Sequence, residues 1–155
     1  MIRTWRIVGI IAFWASWPAL YLRLRRSARV RIVVLHQGNV LLVRNWYNSG
    51  QWQLPGGGIR QDESMTESAQ RELAEEVGIE LQPEDFNSLG KQFAVRERGL
   101  PFRCQPVIAH VGSEDFSIKK REIVDGKWLP ISRAMDAAGL SNSTLATLEL
   151  VEKHR

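Results

Sequence analysis

Residues 54–79 read LPGGGIRQDESMTESAQRELAEEVGI, and the two ends of this stretch decide both the fold and the chemistry. After Leu54 and Pro55, the run Gly56, Gly57, Gly58 stops any regular element and lets backbone approach a ligand where a Cβ would obstruct it. Residues 67–77 have helical propensity, and the helix is expected to end at Gly78, where a left-handed C-terminal residue is wanted. At about 100° per residue, Glu72, Glu75 and Glu76 fall within roughly a 100° arc, while Leu73 and Val77 point about 100 to 140° away from Glu72. One face of the helix is acidic and the neighbouring face apolar. Glu72 and Glu76, four residues apart, repel by about a few tenths of a kcal/mol unless something positive sits between them. A hard divalent cation such as Mg²⁺ suits that place, because it takes carboxylate oxygens and keeps waters for a phosphate-bearing substrate.

Outward from this helix the pattern is one of short strands. Residues 30–36 and 40–44 flank Gln37-Gly38-Asn39 as a β-hairpin, and a polar loop over 46–51 leads into a short run at 52–54. Beyond the helix, residues 91–96 and 102–111 read as strands joined through Gly99-Leu100-Pro101, with a third over 123–129. Residues 142–153, with Leu145, Leu148 and Val151 at three-residue spacing, form a closing helix. Strands on both sides of one central helix imply an α/β (α+β) fold with a mixed sheet and helices on its faces.

The 155 residues, 44% hydrophobic and 25% charged, suffice for one domain, over 29–155, behind an N-terminal segment, 1–28. The single cysteine, Cys104, cannot form an intramolecular disulfide and reads as a buried thiol. The first 31 residues hold seven arginines and no acid, leaving fourteen basic against 17 acidic residues in the rest. The body is mildly acidic, which excludes a general nucleic-acid binder; the basic charge belongs to the N-terminal segment.

That segment contains IVGIIAFWASWPALYL, sixteen uncharged residues opening on Ile7 and closing on Leu22, with Arg3 and Arg6 before and Arg23, Arg25 and Arg26 after. Only Gly9 and Ser16 interrupt its apolar surface, so a helix there is buried in protein or lipid. Three readings stand: a membrane anchor, a helix packed on the domain or a partner, and a cleaved signal peptide. A span with these arginines would place the domain on the cytoplasmic side.

Gly57, Glu63, Arg71, Glu72, Leu73, Glu75, Glu76, Gly78 and Ile79 stand at the spacing G-x5-E-x7-R-E-U-x-E-E-x-G-U, with U a bulky aliphatic residue. Seven fixed residues would coincide at a given start less than about once in a hundred million, so chance is set aside. The pattern resembles the Nudix box, and from about Val30 onward the chain resembles Nudix hydrolases, which implies an α/β/α sandwich. The resemblance implies metal binding by Glu72, Glu75, Glu76 and the carbonyl of Gly56, with Gly57 and Gly58 beside the substrate and Glu63 and Arg71 as supports. It implies Mg²⁺, or Mn²⁺ in its place, and water attack on the phosphoanhydride of a nucleoside di- or triphosphate derivative. For the general base, Glu76 and Glu122 are both open.

Substrate choice lies outside the box. Arg44 is positioned to reach a phosphate, and Trp46, Tyr47 or Phe93 to stack on a base. His36, His110 and His154 lack zinc-ligand spacing. Alternatives to the cytoplasmic nucleotide hydrolase are a nucleotide-sensing domain without catalysis, a membrane-tethered hydrolase of lipid-linked diphosphates, and a prenyl-diphosphate isomerase. The isomerase is disfavoured, since Cys104 lies after the helix rather than before it. Many members of the family are homodimers, which leaves that assembly open here.

Overall fold

The structure is a computed structural model that describes residues 27–45, 50–97, 99–119 and 123–153. The apolar N-terminal run at 7–22, with its membrane or packing roles, lies outside the described residues, as do Trp46, Tyr47, Glu122 and His154. Among the described residues no helix is long and apolar enough to cross a membrane.

Strands β1 (Ala28–His36) and β2 (Asn39–Asn45) form the expected antiparallel hairpin, turned by Gln37 and Gly38, both at positive φ. A short β3 (Trp52–Gln53) pairs with β2. Helix α1 (Met65–Val77) follows, then a 3-10 turn at Pro83–Asp85 and β4 (Asn87–Ser88). Next come β5 (Phe93–Glu97), β6 (Leu100–His110), β7 (Ile123–Pro130), α2 (Ile131–Met135) and α3 (Asn142–Lys153). The seven strands make one mixed sheet, in which β1 runs parallel to β6 along Ala28 to Leu35 while β7 pairs antiparallel with β2.

Both faces of the sheet are covered. Val30, Ile32 and Val34 of β1 pack with Ala69, Leu73 and Val77 of α1 on one side. Val33 and Leu35, pointing the other way as alternation requires, pack with Ile131, Leu148 and Val151 of α2 and α3. This is the α/β/α sandwich. Two details of the sequence reading need correction. Leu145 is exposed, because the inward stripe of α3 is Thr144, Thr147, Leu148 and Val151. Arg31, counted above with the basic N-terminal segment, is buried in β1.

Helix α1 begins two residues before the propensity run. Ser64 caps it, its hydroxyl accepting from the Glu67 amide (3.2 Å) while the Glu67 carboxylate accepts from the Ser64 amide (2.8 Å). Such a reciprocal box satisfies two otherwise unpaired amides. Ser64→Ala is expected to cost about 1 kcal/mol, read as a fall of roughly 2–4 °C in melting temperature. At the other end Gly78 takes φ +66° and its amide bonds Ala74 O. The carbonyls of Val77 and Glu76 accept from Ser117 and Lys119, so the helix end carrying the glutamates is tied down from outside.

Candidate metal and phosphate site

The glycine loop is held against β1. Ile32 N donates to Pro55 O, Val30 N to Gly57 O, and Ile59 N to Ala28 O, each at 2.9 Å. The edge of β1 opposite β6 is therefore shared: its turn end pairs with β2, and its beginning pairs with residues 55–59.

This seating needs two of the three glycines for different reasons. Gly56 sits at φ +139°, and a Cβ on it would overlap the backbone carbonyl of Val30. A Cβ on Gly57 would lie 2.5 Å from Cδ of Glu72, inside its carboxylate. Gly58 has open space where a Cβ would go. The first residue of the run is fitted to β1, and the second to the acidic helix.

Glu72 and Glu76 are buried although both are acids, and Glu75 is half exposed. Arg71 organises the group. Its Nε and Nη2 bond the two oxygens of Glu63 at 2.5 and 2.8 Å, Nη1 bonds Glu72 Oε1 at 2.6 Å, and Nη2 also reaches the Gly58 carbonyl at 3.0 Å. Nη1 lies 3.7 Å from Glu75. A forked guanidinium can hold three partners at fixed angles, which an ammonium cannot. Glu76 Oε2 accepts from the Gly56 amide at 2.9 Å, and the exposed Arg60 lies within 4 Å of both Glu63 and Glu75.

Hydrogen bonding to Arg71 holds the Glu63 carboxyl at about 2, well below the ordinary 4.5, and its pairing with Glu63 raises the Arg71 guanidinium in turn. A depressed carboxyl keeps its pairing above the unfolded value and loses it only as pH falls through the folded one. Carbon-13 titration of the Glu63 carboxyl is therefore expected to show a midpoint at about 2, moving up towards the ordinary 4.5 in Arg71→Met. An unshifted midpoint in the variant would contradict the clamp.

Among the described residues no three His, Cys, Asp or Glu side chains stand close enough together to form a ready-made ligand cluster. What stands there is a set of carboxylate oxygen donors. Among the described residues, Glu63, Glu72 and Glu75 pair with Arg71 or with the largely solvated Arg60, and Glu76 lies beside them. Buried carboxylates require compensation, and all-oxygen donors match a hard divalent cation. The residues fit such an ion.

The other expected positions are less closely joined to this group. Arg44, half exposed, pairs with Asp125 at 2.9 Å and lies 5.0 Å above the Trp52 ring, which Lys127 also covers at 4.0 Å. Phe93 is half buried at the start of β5. Cys104 is buried, and burial pushes its thiol up to about 11, as an inert core cysteine requires.

The model of the NUDIX domain family matches residues 25–148. The chain belongs to this family. A MutT-like protein of Streptomyces ambofaciens is 35% identical over 75 residues, 48% of each chain. The phosphatase NudJ of Escherichia coli (strain K12) is 41% identical over 58 residues, 37% of this chain and 38% of NudJ. The matched stretches thus span about half or less of these relatives. Among solved structures, the MutT protein of Methanosarcina mazei Go1 superposes with a TM-score of 0.71 at 22% identity, covering 84% of this chain and 96% of that one. The Nudix fold accounts for the layered sheet, and the box occupies the loop and helix described above.

Two features escaped the sequence reading. The Ser64 cap was signalled by Ser-x-x-Glu over 64–67, and no sequence signal marked Arg31 and Glu97 as paired partners beside the glycine loop.

Proposed function

We propose that this Nudix domain is a divalent-metal-dependent hydrolase that cleaves a phosphoanhydride bond in a nucleoside di- or triphosphate derivative. The observation that carries the reading is the joint fit of Gly57 and Arg71 to Glu72. Loop and helix are shaped around one carboxylate, which Arg71 holds in place beside Glu75 and Glu76.

Glu72, Glu75, Glu76 and the Gly56 carbonyl would hold the ion, and Mg²⁺ or Mn²⁺ satisfies that donor set. A divalent cation held there supplies neutralisation of charge on the phosphoryl oxygens and acidifies a water. Arg71 keeps Glu72 in one orientation while bracing the Gly58 carbonyl, a supporting role of the kind that fixes ligand geometry. Glu76, held by the Gly56 amide, is one candidate for taking the proton from the attacking water. Glu122 is the second candidate for that proton, three residues past Lys119, whose amide bonds the Glu76 carbonyl. Arg44 is assigned to the substrate's outer phosphate, reached by exchanging its partner Asp125.

The test is release of phosphate or AMP by the full-length protein, with and without Mg²⁺, from dNTPs, ADP-ribose, NADH, diadenosine polyphosphates and nucleotide sugars. Metal-dependent cleavage of one class establishes the activity and names the substrate. If nothing is cut and a nucleotide only raises the melting temperature, the hydrolase reading fails and a nucleotide sensor replaces it.

A further inference from the structure

On the sheet face turned away from α1, Arg31 is 2% exposed and spends its whole fork on protein partners. Nε donates to Ser143 Oγ at 2.8 Å, Nη1 to the Gly56 carbonyl at 3.3 Å, and Nη2 to Glu97 Oε2 at 3.4 Å. Glu97, the last residue of β5, accepts from the Ser143 amide at 3.0 Å and also from its hydroxyl. Burial works against its charge, but Arg31 and Ser143 outweigh burial and hold the carboxyl below its ordinary range. The first turn of α3 is joined to the same loop a second time, through Leu54 N to Thr144 Oγ1 at 2.9 Å.

Gly56 is consequently gripped by charged groups from both faces of the sheet. Its N–H goes to Glu76 on the α1 side and its C=O receives Arg31 from the α3 side. A buried ion pair is a poor source of net stability, since desolvation of the two charges offsets their attraction. The Arg31–Glu97 pair is better explained by where the guanidinium's third arm goes. A carbonyl has two lone pairs, so the one that takes Arg31 leaves the other for a cation.

We propose that Arg31 is a positioning residue for the metal site, fixing the direction of the Gly56 carbonyl, with Glu97 and Ser143 holding the guanidinium in place. The proposal rests on the metal-site reading given above. It extends that site across the sheet: β5 and the start of α3, which contribute none of the proposed ligands, would help set the metal affinity.

The experiment is Mn²⁺ binding, with the metal alone as probe, followed by electron paramagnetic resonance of the free ion in the full-length protein. Arg31→Lys keeps a positive charge beside Glu97 but lacks the fork. The double variant Arg31→Met, Glu97→Gln removes both charges, so neither is left buried alone. Supporting loss is typically about 10- to 100-fold in metal affinity. The dissociation constant is expected to rise about tenfold in each variant that folds, with unchanged circular dichroism and melting well above the assay temperature. Glu76→Gln, as reference, should weaken binding further. If Glu76→Gln loses affinity while Arg31→Lys and the double variant bind as the parent does, the metal site stands and the role of Arg31 is refuted. If the parent shows no binding that depends on Glu76, the metal-site reading fails first and carries this inference down with it.

Discussion

Glu76→Gln is expected to lower metal-dependent turnover by more than about a hundredfold, since loss of a direct ligand should exceed the 10- to 100-fold typical of supporting partners. The substitution keeps the shape of the side chain, and its amide oxygen can still accept from the Gly56 amide, as Glu76 Oε2 does now. What it removes is the carboxylate charge, together with one candidate for the proton acceptor. Glu76 is buried, so a glutamine there has the same packing, and the melting temperature without metal should stay within a few degrees of the parent, or rise. A rise would reflect relief of the repulsion between Glu72 and Glu76, about a few tenths of a kcal/mol. Glu75→Gln, at a half-exposed position, should give a smaller loss that added metal partly restores. Steady-state rates over a Mg²⁺ titration check both, and parental activity in the two variants would sink the carboxylate assignment.

The parts of this arrangement that could be read in the chain are those fixed by local spacing. The acidic face of α1 follows from the helical period, and its end from Gly78, which takes the left-handed conformation expected of it. Residues 142–153 are a helix as the pattern required, yet three-residue spacing alone put Leu145 on the wrong face. A stripe drifts around a helix, and Thr144 and Thr147 occupy buried positions that composition assigns to solvent. The hairpin was legible from its turn. The parallel pairing of β1 with β6 was not, because it joins residues more than seventy positions apart and no turn specifies its register.

Arg31 shows the limit most clearly. On a strand with one wet face, an arginine among valines reads as the solvent side of an alternating pattern. Here both faces of β1 are covered, so the same alternation delivers a charge into the interior. What makes that tolerable is Glu97 and Ser143, far away in sequence. The carboxylate side of the site is local and legible. The opposite support of the glycine loop is assembled only by the fold.

Three consecutive glycines should respond to alanine in three different ways. Gly56→Ala is expected to be the most damaging to stability, because φ is +139° and the added Cβ would overlap the Val30 carbonyl, which belongs to the backbone of the central strand. Neither β1 nor the loop can yield without breaking the bonds from Val30 N to Gly57 O and from Ile32 N to Pro55 O. Strain at such a backbone angle costs about 1–3 kcal/mol, and overpacking typically adds about 1–3. A loss of roughly 2–6 kcal/mol follows, which for a chain of this size is a fall on the order of 10 °C in melting temperature. Gly57→Ala meets instead the end of a side chain, the Glu72 carboxylate, which can swing away. Stability should then drop little, while metal binding and turnover drop sharply, since the displaced group is one of the proposed ligands. Gly58→Ala, with open space at its Cβ, should leave both nearly unchanged. Thermal melts and Mn²⁺ binding on the three variants separate the effects. If Gly57→Ala melted far below Gly56→Ala and retained its metal affinity, the loop would be fitted to packing rather than to the carboxylate, and the division of labour between the two glycines would be reversed.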